Sequence, residues 1–195
     1  MSDYIVIADV GDTLKKLLWE DMKNDPRIYP AIIDSEDDIT LSSPQDTNDT
    51  GKLSLFLYKV TENAYMKNRE RERNDSVGLK WVPLFLDLYY LITPRAEERR
   101  KDHILLGKTM QVFHDNGSIR GSALTGSLEG GDTELRVVLH SLSFDHMMQL
   151  WQSFSEKNFK LSICYQVTPV RIDSRLDMKS TPVVRKELDF PQKPY

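Results

Sequence analysis

The sequence predicts an α+β fold, a mainly antiparallel sheet of four to six strands flanked by about three helices. Three observations lead there. Val82 to Ile92 is apolar on both alternating faces apart from Asp87, the pattern of a central strand. Glu134 to Ser141 sets Leu135, Val137 and Leu139 against Glu134, Arg136 and His140, as in an antiparallel strand with one wet face. Between such runs lie segments with apolar residues three and four apart, bounded by capping and helix-ending residues.

The first helix is expected from Ser2 to about Asn24. Ser2 or Asp3 caps it, and Ile5, Val6, Leu14, Leu17 and Leu18 form its stripe. Gly11 weakens its middle and Asp25-Pro26 ends it. Trp19 is read as a core residue, with an anchor for a second subunit as the alternative. Ala31–Ile33 and Ile39–Leu41 read as two short strands around the acidic turn Asp34–Asp38, and Ser42–Gly51 as a polar loop. Leu53 to Met66 alternates as a second long strand, with Leu53, Leu55 and Leu57 opposite Phe56, Tyr58 and Val60. Lys67–Gly78 mixes charges without an apolar face and reads as a hairpin arm or mobile loop.

After the Val82 strand, Thr93 is expected to cap a helix with Pro94 in its first turn. Glu97 and Glu98 favour its positive end, His103, Leu106, Met110 and Phe113 give its spacing, and Asn116-Gly117 supplies a left-handed stop. Gly117–Asp132 is glycine-rich and reads as a flexible loop with at most one short strand. Ser143 caps a third helix whose core stripe is Phe144, Met147, Met148, Trp151 and Phe154. Phe159, Leu161, Ile163, Tyr165 and Val167 alternate as a strand, and past Pro169 the apolar phase switches to Val170 and Ile172. A bulge at a sheet edge is the expectation there. Residues 1–174 read as the core domain and 175–195, with three prolines, as an arm or tail.

A net charge of −4 disfavours general nucleic-acid binding, so no nucleic acid is expected as partner. Cys164 is the only cysteine, so a disulfide or cysteine-based zinc site within one chain is excluded, and its strand position suggests a buried inert thiol. The amino-terminal stretch lacks the basic residues of a secretory leader, and no apolar run is long enough for a membrane span.

No catalytic, cofactor-binding or metal-binding residue is assigned. His103 and His114 stand about three helical turns apart, too far to share a metal. The HExxH, GxSxG and CxxC patterns are absent. Asp34, Glu36, Asp37 and Asp38 could serve a metal-dependent hydrolase, but they crowd into one short turn without calcium-loop spacing. Asp87 in the central strand needs a partner, and a structural ion pair with a basic residue is the expectation.

Four blocks in order, LSLFLYKVTENAYMKN, VPLFLDLYYLITP, HILLGKTMQVFHDN and LWQSFSEKNFKLSICYQVTPVRIDS, carry a resemblance. They resemble the tail-terminator or cap proteins of extracellular contractile injection systems, phage-tail-like particles that drive a tube into target cells. The resemblance runs from the first helix to about Ser174. It implies a tail-terminator-like fold and a structural, non-enzymatic role without cofactor. It implies a homo-hexameric ring that meets the terminal inner-tube and sheath rings, stops their polymerisation and holds the last sheath ring. Assembly would be cytoplasmic, in a particle that is released or stays inside the cell. Some members carry a further domain after this core. Open strand edges and arms that order on assembly are compatible with such a ring. A small adaptor binding an effector or baseplate component is the alternative.

Overall fold

The computed structural model describes residues 3–46, 48–66, 73–74, 78–131, 133–154 and 159–178, with 73–74, 78–80 and 177–178 described as backbone. Helix α1 spans Val6–Met22. Its Val6, Val10, Leu14, Leu18 and Met22 recur every four residues and are fully buried. Gly11 lets the helix close on Leu41, because a Cβ there would sit 2.9 Å from a Leu41 methyl.

The strands are β1 (Ile39–Thr40), β2 (Leu53–Glu62), β3 (Arg73–Asn74), β4 (Gly78–Lys80), β5 (Leu84–Pro94), β6 (Ser118–Arg120), β7 (Glu134–His140), β8 (Ile163–Ile172) and β9 (Asp177–Met178). Helix α2 spans Arg99–Asp115 and α3 Phe144–Gln152. Six strands form the main sheet in the order β1-β2-β5-β8-β7-β6, while β3, β4 and β9 form a small second sheet. Every pairing in the main sheet is antiparallel except β1 with β2. This is the α+β class the periodicities predict.

The long central strand separates two unequal layers. Leu86, Leu88, Tyr90 and Ile92 of β5 point into the main core with α1 and α2. Phe85 and Leu91 are buried on the opposite face, as are Cys164 and Trp151. That second face belongs to α3, through edge contacts of Phe154 with Phe56 at 5.8 Å and with Trp151 at 5.6 Å.

Several local expectations change. Ile32 and Ile33 enter the core from a turn rather than a strand, since both backbone N–H groups donate to the carbonyl of Ile28. Only Ile39–Thr40 pairs, and it does so parallel to Leu53–Ser54 across the polar loop. Thr93 and Pro94 do not start a helix. They complete the β5 ladder opposite Ser54 and Leu53, and Asp102 accepts from the Ala96 N–H before α2 begins. Its buried face is Leu105, Leu106, Thr109, Val112 and Phe113, with His103 and Met110 turned outward.

Asn116 has φ −115°, so α2 ends without a left-handed residue and runs straight into β6. The left-handed glycines are Gly121, Gly126 and Gly130. The irregularity at Pro169 is present, opposite Asp87, but β8 is an interior strand. Its pairing with β7 ends at Arg136–Thr168, so Pro169 needs no N–H on that side.

Candidate assembly surface

The second face of the sheet is where apolar side chains remain uncovered. The stripe expected to pack fully in α3 is half open: Trp151 is buried, Met147 and Met148 are partly covered, and Phe144 is 70% exposed. Nine residues of helix cannot cover a sheet face of this width, so only one turn presses inward. Ser143 caps the helix by accepting from the His146 N–H, as expected. Phe159 lies edge-on to both Phe144 at 6.3 Å and Trp151 at 5.7 Å, and neighbouring Leu161 is exposed. Trp151 Nε1 is buried without a hydrogen-bond partner among the described residues.

Farther across the same face, Tyr58, Tyr89 and His140 form a ladder from β2 to β7, with ring separations of 6.3 and 4.9 Å. The ammonium of Lys59 stands 5.0 Å from the Tyr89 ring centre. Beneath them, burial pushes the Cys164 thiol up to about 11, against a lowering hydrogen bond from Tyr58. Cys164 is therefore a buried, unreactive thiol, as its strand position suggests.

Both ends of the sheet have open edges among the described residues. At one end β6 covers β7 only as far as Arg136, and the Val137 N–H donates to Gly117. The outer edge of Val138–His140 has no strand beside it, and Met110, His114 and Leu139 flank a cleft of about 620 Å³ there. At the other end β1 covers only Leu53 and Ser54, leaving Leu55–Thr61 of β2 without an outer strand. Unpaired edges invite another strand.

The acidic turn is partly offset by two lysines. Asp34 and Asp38 face Lys52 at 3.8 and 3.5 Å, and Asp37 faces Lys15 at 3.5 Å. Asp38 also accepts from the Asp34 N–H, and no cluster of three metal-ligating side chains forms among the described residues. Asp87 is buried as expected, but its partners are the Asn63 amide at 2.7 Å and the Thr168 hydroxyl, not a basic residue. The β-bulge brings Thr168 to it, and neutral donors satisfy the carboxylate there.

Sequence spacing missed two part-buried polar clusters. Arg95 pairs with Asp49 at 2.5 Å, and the Thr40 hydroxyl joins them, closing the polar loop onto β5. Burial opposes ionisation of Asp49, yet bonds from Thr40, Arg95 and the Gly51 N–H hold its carboxyl down at about 2. In the second cluster, Asp9 accepts from the Ser127 N–H at 2.9 Å and from its hydroxyl, while Thr13 bonds Thr125 at 2.9 Å. The glycine-rich segment is thereby pinned to α1 and buries Leu124 and Leu128. Of the other arms, most of Lys67–Gly78 and residues 179–195 lie outside the described residues.

Residues 9–186 match the family model of the Pvc16 N-terminal domain. The chain belongs to that family. No curated protein matches it. Among solved structures, it is similar to the sheath/tube terminator, in the extended state, of the PVC extracellular contractile injection system. The TM-score is 0.65 at 19% identity, over 96% of this chain and 64% of that one. It is also similar to the tube-terminating cap of the anti-feeding prophage, with TM-score 0.64 and 17% identity over 94% of this chain and 61% of that one. The Pvc16 N-terminal domain here thus spans less than two thirds of either neighbour while sharing its fold. Among the described residues, no helix is long and apolar enough to cross a membrane.

Proposed function

We propose that this chain is a structural cap of a contractile injection system, a tail terminator that closes a hexameric ring over the distal ends of tube and sheath. The observation that carries the reading is a fold shared over nearly the whole chain with two proteins described as terminators of such particles. The family membership supports it. The physical surface fits an assembly role: an aromatic face left half bare by α3, and an open β7 edge beside an apolar cleft. The chain acts by contact and catalyses no reaction. Residues 1–174 form the body of the ring subunit and 175–195 an arm. Its partners are further copies of itself, the last inner-tube ring and the last sheath ring, met during assembly in the cytoplasm.

Electron microscopy of particles from cells with and without the gene tests this. Particles of uniform length with a six-fold plug, replaced by uncontrolled or unstable tubes when the gene is removed, are the expected result. Normal, capped particles in its absence would overturn it. Replacing Phe144 and Phe159 together by aspartate should give a folded chain that no longer joins the particle, checked by co-purification with tube and sheath.

A further inference from the structure

The two open edges lie at opposite ends of one sheet, and each has the direction and facing that the other needs. β2 is antiparallel to β5, β5 to β8 and β8 to β7, so β7 runs opposite to β2. A second copy rotated about an axis parallel to the strands keeps its strand directions. Its β7 therefore reaches the β2 edge antiparallel. The faces match as well. Leu139 stands opposite Tyr165, Leu57 opposite Tyr90 and Val60 opposite Leu88, all on the face toward α1 and α2. Leu139 and Val60 are both half-exposed. The Val137 N–H donates outward to Gly117, so at the two-residue period the N–H and carbonyl of Leu139 also point outward.

The position of β6 limits the register. It covers β7 up to Arg136, so among the described residues the stretch free to take a partner begins at Val138. An antiparallel β2 then brings its Thr61 end to Val138 and Leu139, since running farther would meet β6. Each edge also carries an apolar cleft on the matched face, one beside Leu139 reaching Tyr165 and one beside Leu57 reaching Tyr90. Tyr165 is 4% and Tyr90 2% exposed, yet neither hydroxyl makes a hydrogen bond among the described residues. Buried tyrosine hydroxyls ordinarily have a partner. The rims are complementary too. Asp12 is exposed and close to Tyr90, whose hydroxyl burial and then that carboxylate push up, while His114 offers an imidazole N–H at the other cleft.

We infer that the β7 edge of one copy adds antiparallel to the β2 edge of the next, so that the sheets of successive copies run on into one another around the ring. The contact is head-to-tail, with a different edge used on each side, and such contacts close into rings when the rotation allows. Backbone pairing supplies the attachment, and the half-exposed leucine and valine side chains are covered by it. The inference rests on the ring proposed above and names the contact that closes it.

The test is disulfide trapping of the full chain in assembled particles. Leu139→Cys is combined in turn with Leu57→Cys, Val60→Cys and Glu62→Cys, the β2 positions on the same face, so that a slipped register is also caught. Cys164 is buried and does not compete. After mild oxidation, at least one pair should give a ladder at multiples of this chain's own mass that stops at six, and each single variant should stay monomeric. Dimers from a single variant would mean that like edges meet, which overturns the inference. So would a band joining this chain to a tube or sheath protein. Particles that hold the chain but yield no ladder overturn the edge contact and leave the cap reading standing. Particles from which the unaltered chain is absent overturn the cap reading and the contact with it.

Discussion

The two faces of the main sheet are both rich in large apolar residues, yet only one is closed. Toward α1 and α2, the side chains of Leu88, Tyr90, Ile92, Phe113 and Val167 are buried at or below 2% exposure. Toward α3, Trp151 and Leu91 are buried while Phe144, Phe159 and Leu161 are not. The difference lies in the length of the covering helices, 17 residues each for α1 and α2 against nine for α3. One face closes the fold, and the other keeps large apolar side chains exposed among the described residues. Substitutions of similar chemistry should therefore act on stability in one place and on assembly in the other.

The largest effect is expected on the closed face. Phe113→Ala removes a ring packed 4.9 Å from Tyr165 and should destabilise by about 3–5 kcal/mol in denaturant unfolding. Next comes Arg95→Ala, which leaves the part-buried Asp49 carboxylate without its cation but still bonded to Thr40 and the Gly51 N–H, and should lose about 1–2 kcal/mol. The same pair gives a pH signature. The folded carboxyl is held at about 2 against an ordinary value of 3.8. Its contribution is full above pH 3.8 and is lost as pH falls toward 2, and Arg95→Ala should flatten that part of the stability–pH curve. On the open face, Trp151→Phe keeps most of the packing and removes a buried N–H without partner, so stability should change by less than about 1 kcal/mol. Phe144→Ser should shift stability by no more than about 0.5 kcal/mol while weakening particle binding, read by co-purification. Equal losses of stability from Phe113→Ala and Phe144→Ser would erase the distinction between the faces.

The periodic parts of this architecture were readable from the chain. Val6, Leu14 and Leu18 on α1, and the double-sided run of β5, announce themselves because burial repeats at the period of the element. What escaped was decided by tertiary context. Thr93-Pro94 has the chemistry of a helix start, but the neighbouring β2 offers a ladder that holds both residues in the strand. The stripe from Phe144 to Phe154 has helical spacing, and spacing alone does not distinguish a buried face from a half-exposed one. Asp87 called for a cation because no local pattern reveals that a bulge will deliver Thr168 and Asn63. The open edges are equally silent, since an edge is defined by which strand fails to arrive.

The segment 121–131 has the composition of a tether, yet hydrogen bonds from Ser127 and Thr125 to Asp9 fix it against α1. Gly126 adopts φ +60° with the Asp9 carboxylate in the space a Cβ would need, so the position admits no other residue without displacing that carboxylate. Its backbone entropy is already surrendered when the monomer folds. A neighbour that docks on it meets a preset surface, and calorimetry of that contact should record solvent release with little penalty for freezing the loop.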